Sequence, residues 1–159
     1  MNKAEFTLAD AAATERLGAM LARALGPGGA VLYLRGDLGT GKTTLARALL
    51  RTLGHVGAVR SPSYTLVEPY DIGGRPVFHL DLYRLSAPGE LEYLGLRDLD
   101  PGRDLILVEW PEHGLGELPP ADLEIGLNYQ GMGRQATILA GSEPGTTILG
   151  GLQAGTYSM

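Results

Sequence analysis

Gly36-Asp37-Leu38-Gly39-Thr40-Gly41-Lys42-Thr43-Thr44 follows the spacing G-x-x-x-x-G-K-[ST] of a phosphate-binding loop. Glycines at these points let the main chain wrap tightly, so that successive N–H groups converge on an anion. A helix starting beside the lysine adds unpaired amides and the positive end of its dipole. Lys42 brings a full charge to the terminal phosphates of a nucleotide, and the Thr43 hydroxyl is the kind of group that ligates Mg²⁺. Coincidence explains the match poorly. The chain holds two lysines, Lys3 and Lys42, and one of them occupies the lysine slot of the pattern.

The flanks supply the context that the loop requires. Ala30-Val31-Leu32-Tyr33-Leu34 is a short apolar run that suits a strand buried on both faces. Residues 43–53 read as a helix ended by Gly54, and residues 8–25 as an amphipathic helix carrying Leu17, Met20, Leu21 and Leu25 at helical spacing. Strand, glycine loop and helix in that order open an α/β nucleotide-binding unit. Further on, residues 64–70 and 77–83 read as two strands joined across Gly73-Gly74-Arg75-Pro76. Pro88-Gly89-Glu90 starts a short acidic helix, residues 105–108 form a second buried strand, and residues 123–129 and 135–139 form a second hairpin. The fold class expected is α/β, a P-loop NTPase-like central sheet, mostly parallel, flanked by helices with added β-hairpins. Residues 1–140 are expected to form this domain. Residues 141–159, rich in Gly, Ser and Thr, are expected to be a weakly ordered C-terminal tail.

Hydrolysis or transfer needs a metal held from a second side and a group that positions the nucleophile. Glu109 follows the buried run Leu105-Ile106-Leu107-Val108, and an acid at the carboxyl end of such a strand lands in the ligand crevice of an open α/β sheet. It is the candidate metal and catalytic carboxylate. In His79-Leu80-Asp81-Leu82-Tyr83, period two puts His79, Asp81 and Tyr83 on one face. Asp81 is a candidate to ligate Mg²⁺ or orient water, His79 to form a local hydrogen bond, and Tyr83 to pack or face a partner. Thr65, downstream of the loop helix, is either a γ-phosphate sensor on a mobile segment or an ordinary strand threonine. Trp110 either packs over the nucleotide or belongs to the core. Arg134, at the second hairpin, either reaches phosphate or is a solvated turn residue.

Composition narrows the classes. The 159 residues suit one domain, and the absence of Cys removes disulfides, thiol nucleophiles and cysteine-held metals. A net charge of −5 argues against a protein that coats DNA. Charge is uneven: residues 23–60 hold six basic residues and one acid, whereas residues 81–124 hold eleven acids and three arginines. Arg35, Arg47, Arg51 and Arg60 are the candidate docking cluster for an acidic partner or RNA. No apolar run reaches the ~18 residues of a membrane helix, and no secretory leader is visible, so the expected compartment is the cytoplasm with no membrane contact.

Taken in order, the segments Gly36 to Thr44, Ser61-Pro62-Ser63-Tyr64-Thr65-Leu66-Val67-Glu68, His79-Leu80-Asp81-Leu82-Tyr83-Arg84-Leu85, Glu90-Leu91-Glu92-Tyr93-Leu94-Gly95-Leu96, Val108-Glu109-Trp110-Pro111-Glu112 and Gly133-Arg134 resemble the TsaE (YjeE) family. The resemblance covers roughly residues 7–140, and one departure is Ser63, where Thr is expected. It implies an ATPase of bacterial threonylcarbamoyl-adenosine tRNA modification, binding ATP or ADP with Mg²⁺. It implies Thr43 and Glu109 at the metal with Asp81 close by, and Trp110 and Glu112 near the nucleotide. It also implies a switch-like segment at residues 61–65 and an approach of residues 8–14 to the adenine. The implied partners are TsaB and TsaD, with tRNA engaged through that complex. A free small-molecule kinase is the alternative, although no compact arginine lid stands out. A GTPase lacks an N-K-x-D guanine-reading segment.

Overall fold

The computed structural model describes residues 2–156. Seven strands, β1 (Lys3–Leu8), β2 (Ala30–Arg35), β3 (Val67–Ile72), β4 (Arg75–Asp81), β5 (Leu105–Glu109), β6 (Leu123–Gln130) and β7 (Gly133–Ala140), form one sheet in the order β1-β7-β6-β2-β5-β4-β3. The four central strands β6, β2, β5 and β4 run parallel, and the antiparallel pairs β3–β4, β6–β7 and β1–β7 extend the sheet to its two edges. The expected parallel core and both hairpins are therefore present. β2 and β5 are buried along nearly their whole length, as apolar runs flanked on both sides must be.

Period two divides the core into two layers. Leu32, Leu34, Leu105, Leu107, Ile125 and Leu127 face the three α-helices α1 (Ala11–Ala24), α2 (Lys42–Leu53) and α3 (Glu143–Thr156). Val31, Tyr33, Leu80, Ile106 and Val108 line the other face of the sheet and pack with Leu82, Leu85 and Leu91, roofed by 3₁₀ turns at Pro88–Leu94, Leu96–Asp98 and Pro111–Gly114. All three α-helices thus lie on one face, and short turns replace helices on the other. Pro88-Gly89-Glu90 supports one of these turns rather than the expected helix. α1 and α2 meet at Gly18, where a Cβ would sit 2.6 Å from the Leu45 carbonyl oxygen, so only glycine allows that approach.

Two elements depart from expectation. β1 pairs along its whole length with β7, so the chain starts with an edge strand and α1 begins at Ala11, capped by the Asp10 carboxylate on the Ala13 N–H at 2.9 Å. The C-terminal residues expected as a weak tail instead form α3, with residues 157–159 outside the described residues. Ser142 accounts for the correction: its Oγ accepts the Gly145 N–H at 3.1 Å and donates to Asp122 at 2.6 Å, an N-cap tied to the start of β6. Ile148, Leu149 and Leu152 then bury against the helical layer. No helix among the described residues is long and apolar enough to cross a membrane.

Candidate functional site

Three neighbouring parallel strands deliver the site. β2 ends in the glycine loop, β5 ends in Glu109 and β4 ends in Asp81, which lies directly opposite Glu109 in the register. Gly36 turns the chain out of β2 at φ 147°, where a Cβ would meet the Leu127 carbonyl oxygen at 2.5 Å. Gly41, at φ 108°, is the N-cap of α2 and offers no capping side chain, which leaves the first amides of that helix free for a ligand. A cavity of about 300 Å³ opens above the loop, lined by residues 38–44 together with Ser63, Asp81, Tyr83, Glu109 and Trp110. A second cavity of about 170 Å³ lies across Gly39, Thr40 and Gly41, bounded by Asp10, Ala11, Thr14 and Arg134.

Lys42 is buried beneath the loop. Its Nζ donates to the Gly36 carbonyl and to the Asp37 carbonyl at 3.3 Å, and lies 3.9 Å from the centroid of the Trp110 ring. Burial pulls the ammonium below the ordinary lysine range, and the charges of Glu109, Asp81, Glu112 and Asp37 oppose that shift. Trp110 reaches this position through a left-handed backbone, φ 57° and ψ 50°, a conformation that costs a non-glycine residue about 1–2 kcal/mol. The Tyr83 ring lies against Trp110, tilted by 44° with centroids 5.0 Å apart, and stands half exposed at the cavity mouth.

On the opposite wall the Thr43 Oγ1 donates to Glu109, 3.1 and 3.3 Å from its two oxygens. His79, fully buried, meets Glu109 Oε2 at 2.6 Å through Nε2, while its Nδ1 has no partner among the described residues. Asp81 accepts the Tyr83 N–H at 3.1 Å and the Ser63 hydroxyl at 3.3 Å. Burial pushes its carboxyl above the usual range. The Tyr83 N–H works against this, the nearby charge of Glu109 adds to it, and Ser63 and His79 oppose it.

The structure therefore brings Lys42, Thr43, Asp81, Glu109 and Trp110 together and places other candidates elsewhere. Thr65 is exposed and lines neither cavity; its neighbour Ser63 reaches Asp81. The reason is a turn in which the Leu66 N–H closes on the Pro62 carbonyl with Leu66 at φ 66°, so β3 begins at Val67 rather than at residue 64. Glu112 lines neither cavity and lies 3.8 Å from Arg35. Arg35 also pairs with Glu124 at 2.8 Å, while Arg47 and Arg51 of the expected arginine cluster line a groove between α1 and α2 with Glu15. Arg134 holds the Gly39 carbonyl at 3.1 Å and lines the second cavity. Sequence reasoning gave His79 only a local bond and missed Tyr129, whose hydroxyl donates to the Leu38 carbonyl.

The donor atoms on this wall are oxygens. The described residues hold no cluster of three or more His, Cys, Asp or Glu side chains arranged to hold a metal ion. The Thr43 hydroxyl with the carboxylates of Glu109 and Asp81 instead offers an all-oxygen set that could hold a hard divalent cation such as Mg²⁺, which keeps several of its waters.

Residues 8–136 match the family model for threonylcarbamoyl adenosine biosynthesis protein TsaE. The chain belongs to the TsaE family. Similar curated relatives, each described as a tRNA threonylcarbamoyladenosine biosynthesis protein TsaE, include that of Haemophilus influenzae, 46% identical over 119 residues and 75% of both chains. That of Synechocystis is 46% identical over 122 residues, 74% of this chain and 76% of the relative. The crystal structure of Bacillus subtilis YdiB superposes with a TM-score of 0.82 at 27% identity, covering 97% of this chain and 96% of that one. The matched TsaE segment runs from the last residue of β1 into β7, so it contains the loop, Asp81 and Glu109 and leaves α3 outside.

Proposed function

We propose that this chain is a Mg²⁺-dependent ATPase acting in formation of threonylcarbamoyladenosine at position 37 of tRNA, working with TsaB and TsaD to reset their complex. One observation carries the ATPase part: the glycine loop, Glu109 and Asp81 converge from the carboxyl ends of three adjacent parallel strands. Membership of the TsaE family and the names of the relatives support the pathway.

The residues divide the work as follows. The amides of Gly39 and Gly41 cradle the phosphates of ATP, and the free amides of residues 42–44 at the start of α2 add to the cradle. Lys42 leaves the carbonyls of Gly36 and Asp37 for the terminal phosphates, an exchange of neutral acceptors for charged ones. Thr43 and Glu109, with Asp81 beside them, would hold Mg²⁺, which supplies charge neutralisation at the phosphate oxygens. His79 fixes the Glu109 carboxylate from behind. Ser63 couples the segment at residues 61–65 to Asp81. The second cavity, between the loop and the start of α1, is on the side proposed to receive the adenine. Trp110 and Tyr83 form the exposed lip. Slow hydrolysis by the isolated chain follows if a partner completes this open lip.

Turnover of ATP measured with and without a TsaB–TsaD mixture tests the proposal. Stimulation by the mixture supports it. Phosphoryl transfer to a metabolite without any protein partner would replace it with the kinase reading.

A further inference from the structure

The hairpin of β6 and β7 grips the phosphate loop from its outer side. The Tyr129 hydroxyl donates to the Leu38 carbonyl, and Arg134 Nη2 donates to the Gly39 carbonyl at 3.1 Å. The Arg134 guanidinium lies 4.4 Å from the Tyr129 ring centroid, and its Nη1 is anchored on the Gly133 carbonyl at 2.8 Å. Two consecutive carbonyls of the loop are thus held by two side chains that pack on each other.

Peptide planarity turns this outer grip into an inner consequence. All described peptide bonds are trans, and in a trans peptide the C=O and N–H of one unit point in opposite directions. Leu38 O faces Tyr129, which lines neither cavity, so the N–H of the same unit, that of Gly39, faces the other way; Gly39 lines both cavities. The next amide, Thr40 N–H, is already spent on the Asp37 carbonyl at 3.3 Å, whereas the Gly39 N–H has no partner among the described residues. Gly39 itself is at φ 79°, and a Cβ there would lie 3.0 Å from the Tyr129 hydroxyl, so the two residues fit closely. A glycine-flanked peptide rotates readily unless something fixes its carbonyl.

We infer that Tyr129 is a positioning residue for nucleotide binding: its hydroxyl locks the Leu38–Gly39 peptide so that the Gly39 N–H is presented to a phosphate oxygen. The inference rests on the proposed reading of the loop as an ATP site. Preorganisation of this kind contributes to affinity by removing an ordering cost from the binding step.

Tyr129→Phe deletes the hydroxyl and keeps the ring on which Arg134 lies. Tyr129 is 54% exposed, so the substitution leaves the core untouched. Calorimetry with Mg-ATP on wild type, Tyr129→Phe and Lys42→Ala, and the backbone amide spectrum of ¹⁵N-labelled free protein, form one experiment. Expected are a Kd about 3- to 10-fold higher for Tyr129→Phe, the range one lost hydrogen bond supports, with an unchanged melting temperature. A Gly39 amide resonance shifted or broadened in the free variant, with its neighbours outside the loop unmoved, is the signature that a merely structural role would not give. A wild-type Kd or an unmoved Gly39 resonance in Tyr129→Phe overturns the inference while leaving the ATP site standing. Absence of binding by the wild type itself sinks the ATP reading and this inference with it.

Discussion

Replacing His79 with phenylalanine isolates the contribution of a residue that touches no ligand. His79 is fully buried on β4, and its Nε2 is 2.6 Å from Glu109 Oε2. Phenylalanine fills a similar space and takes away only the donor. Glu109 keeps the Thr43 hydroxyl, at 3.1 and 3.3 Å from its two oxygens, and loses the shorter contact at Oε2. A hydrogen bond to a charged group contributes about 1.5–3 kcal/mol, and about 1.4 kcal/mol is tenfold in rate. The rate of ATP hydrolysis is therefore expected to fall about 10- to 150-fold. Affinity for Mg-ATP, which is dominated by the loop amides and Lys42, is expected to stay within about threefold. Single-turnover hydrolysis with the chain in excess gives the rate, and calorimetry gives the affinity. His79→Gln, which can still donate, is expected to fall between the two. A folded His79→Phe variant that hydrolyses ATP at the wild-type rate would refute the claim that this histidine holds the catalytic carboxylate.

Other perturbations probe the remaining parts. Glu109→Gln is expected to bind Mg-ATP but to lose hydrolysis; turnover at the parent rate would remove Glu109 from the site. Leu152→Ala in α3 should lower stability by about 2–5 kcal/mol, because the side chain is almost completely buried; a denaturant midpoint equal to wild type would return residues 143–156 to the status of a loose tail. The Arg103 guanidinium hydrogen-bonded to Asp104 holds that carboxyl below the usual carboxylate range. A depressed carboxyl stabilises the fold above its unfolded pKa, near 3.9, and loses that contribution as pH falls through the folded value. Wild type should therefore melt above Asp104→Asn at pH 6 and lose that lead progressively below about pH 4; a gap that is constant with pH would contradict the ion pair.

Much of this arrangement was legible in the sequence, because the strongest signals are local. The loop residues, the apolar runs of β2 and β5 and the alternation around His79 each depend on a few adjacent residues, and each led to a correct element. What escaped depends on contacts across the fold. Lys3-Ala4-Glu5-Phe6-Thr7-Leu8 alternates as a strand should, but its partner β7 lies some 130 residues on, and nothing nearby announces it. Ser142 followed by Glu143 and Pro144 is a helix start, with Ile148, Leu149 and Leu152 behind it. The surrounding Gly and Thr residues hid that cap in a composition that reads as tail. Period two gave the face of His79 but not its partner on the neighbouring strand. A single turn at Leu66 decided that Ser63 rather than Thr65 would face Asp81. No local pattern points from Tyr129 to Leu38, which are 91 residues apart.

The most direct measurement is the heat of Mg-ATP binding to the purified, folded chain, set beside that of Lys42→Ala. Saturable heat from the wild type and none from the variant is the predicted result. A flat titration from wild-type protein whose circular dichroism shows it folded, or equal heats from both proteins, would contradict the assignment of the glycine loop as the nucleotide site.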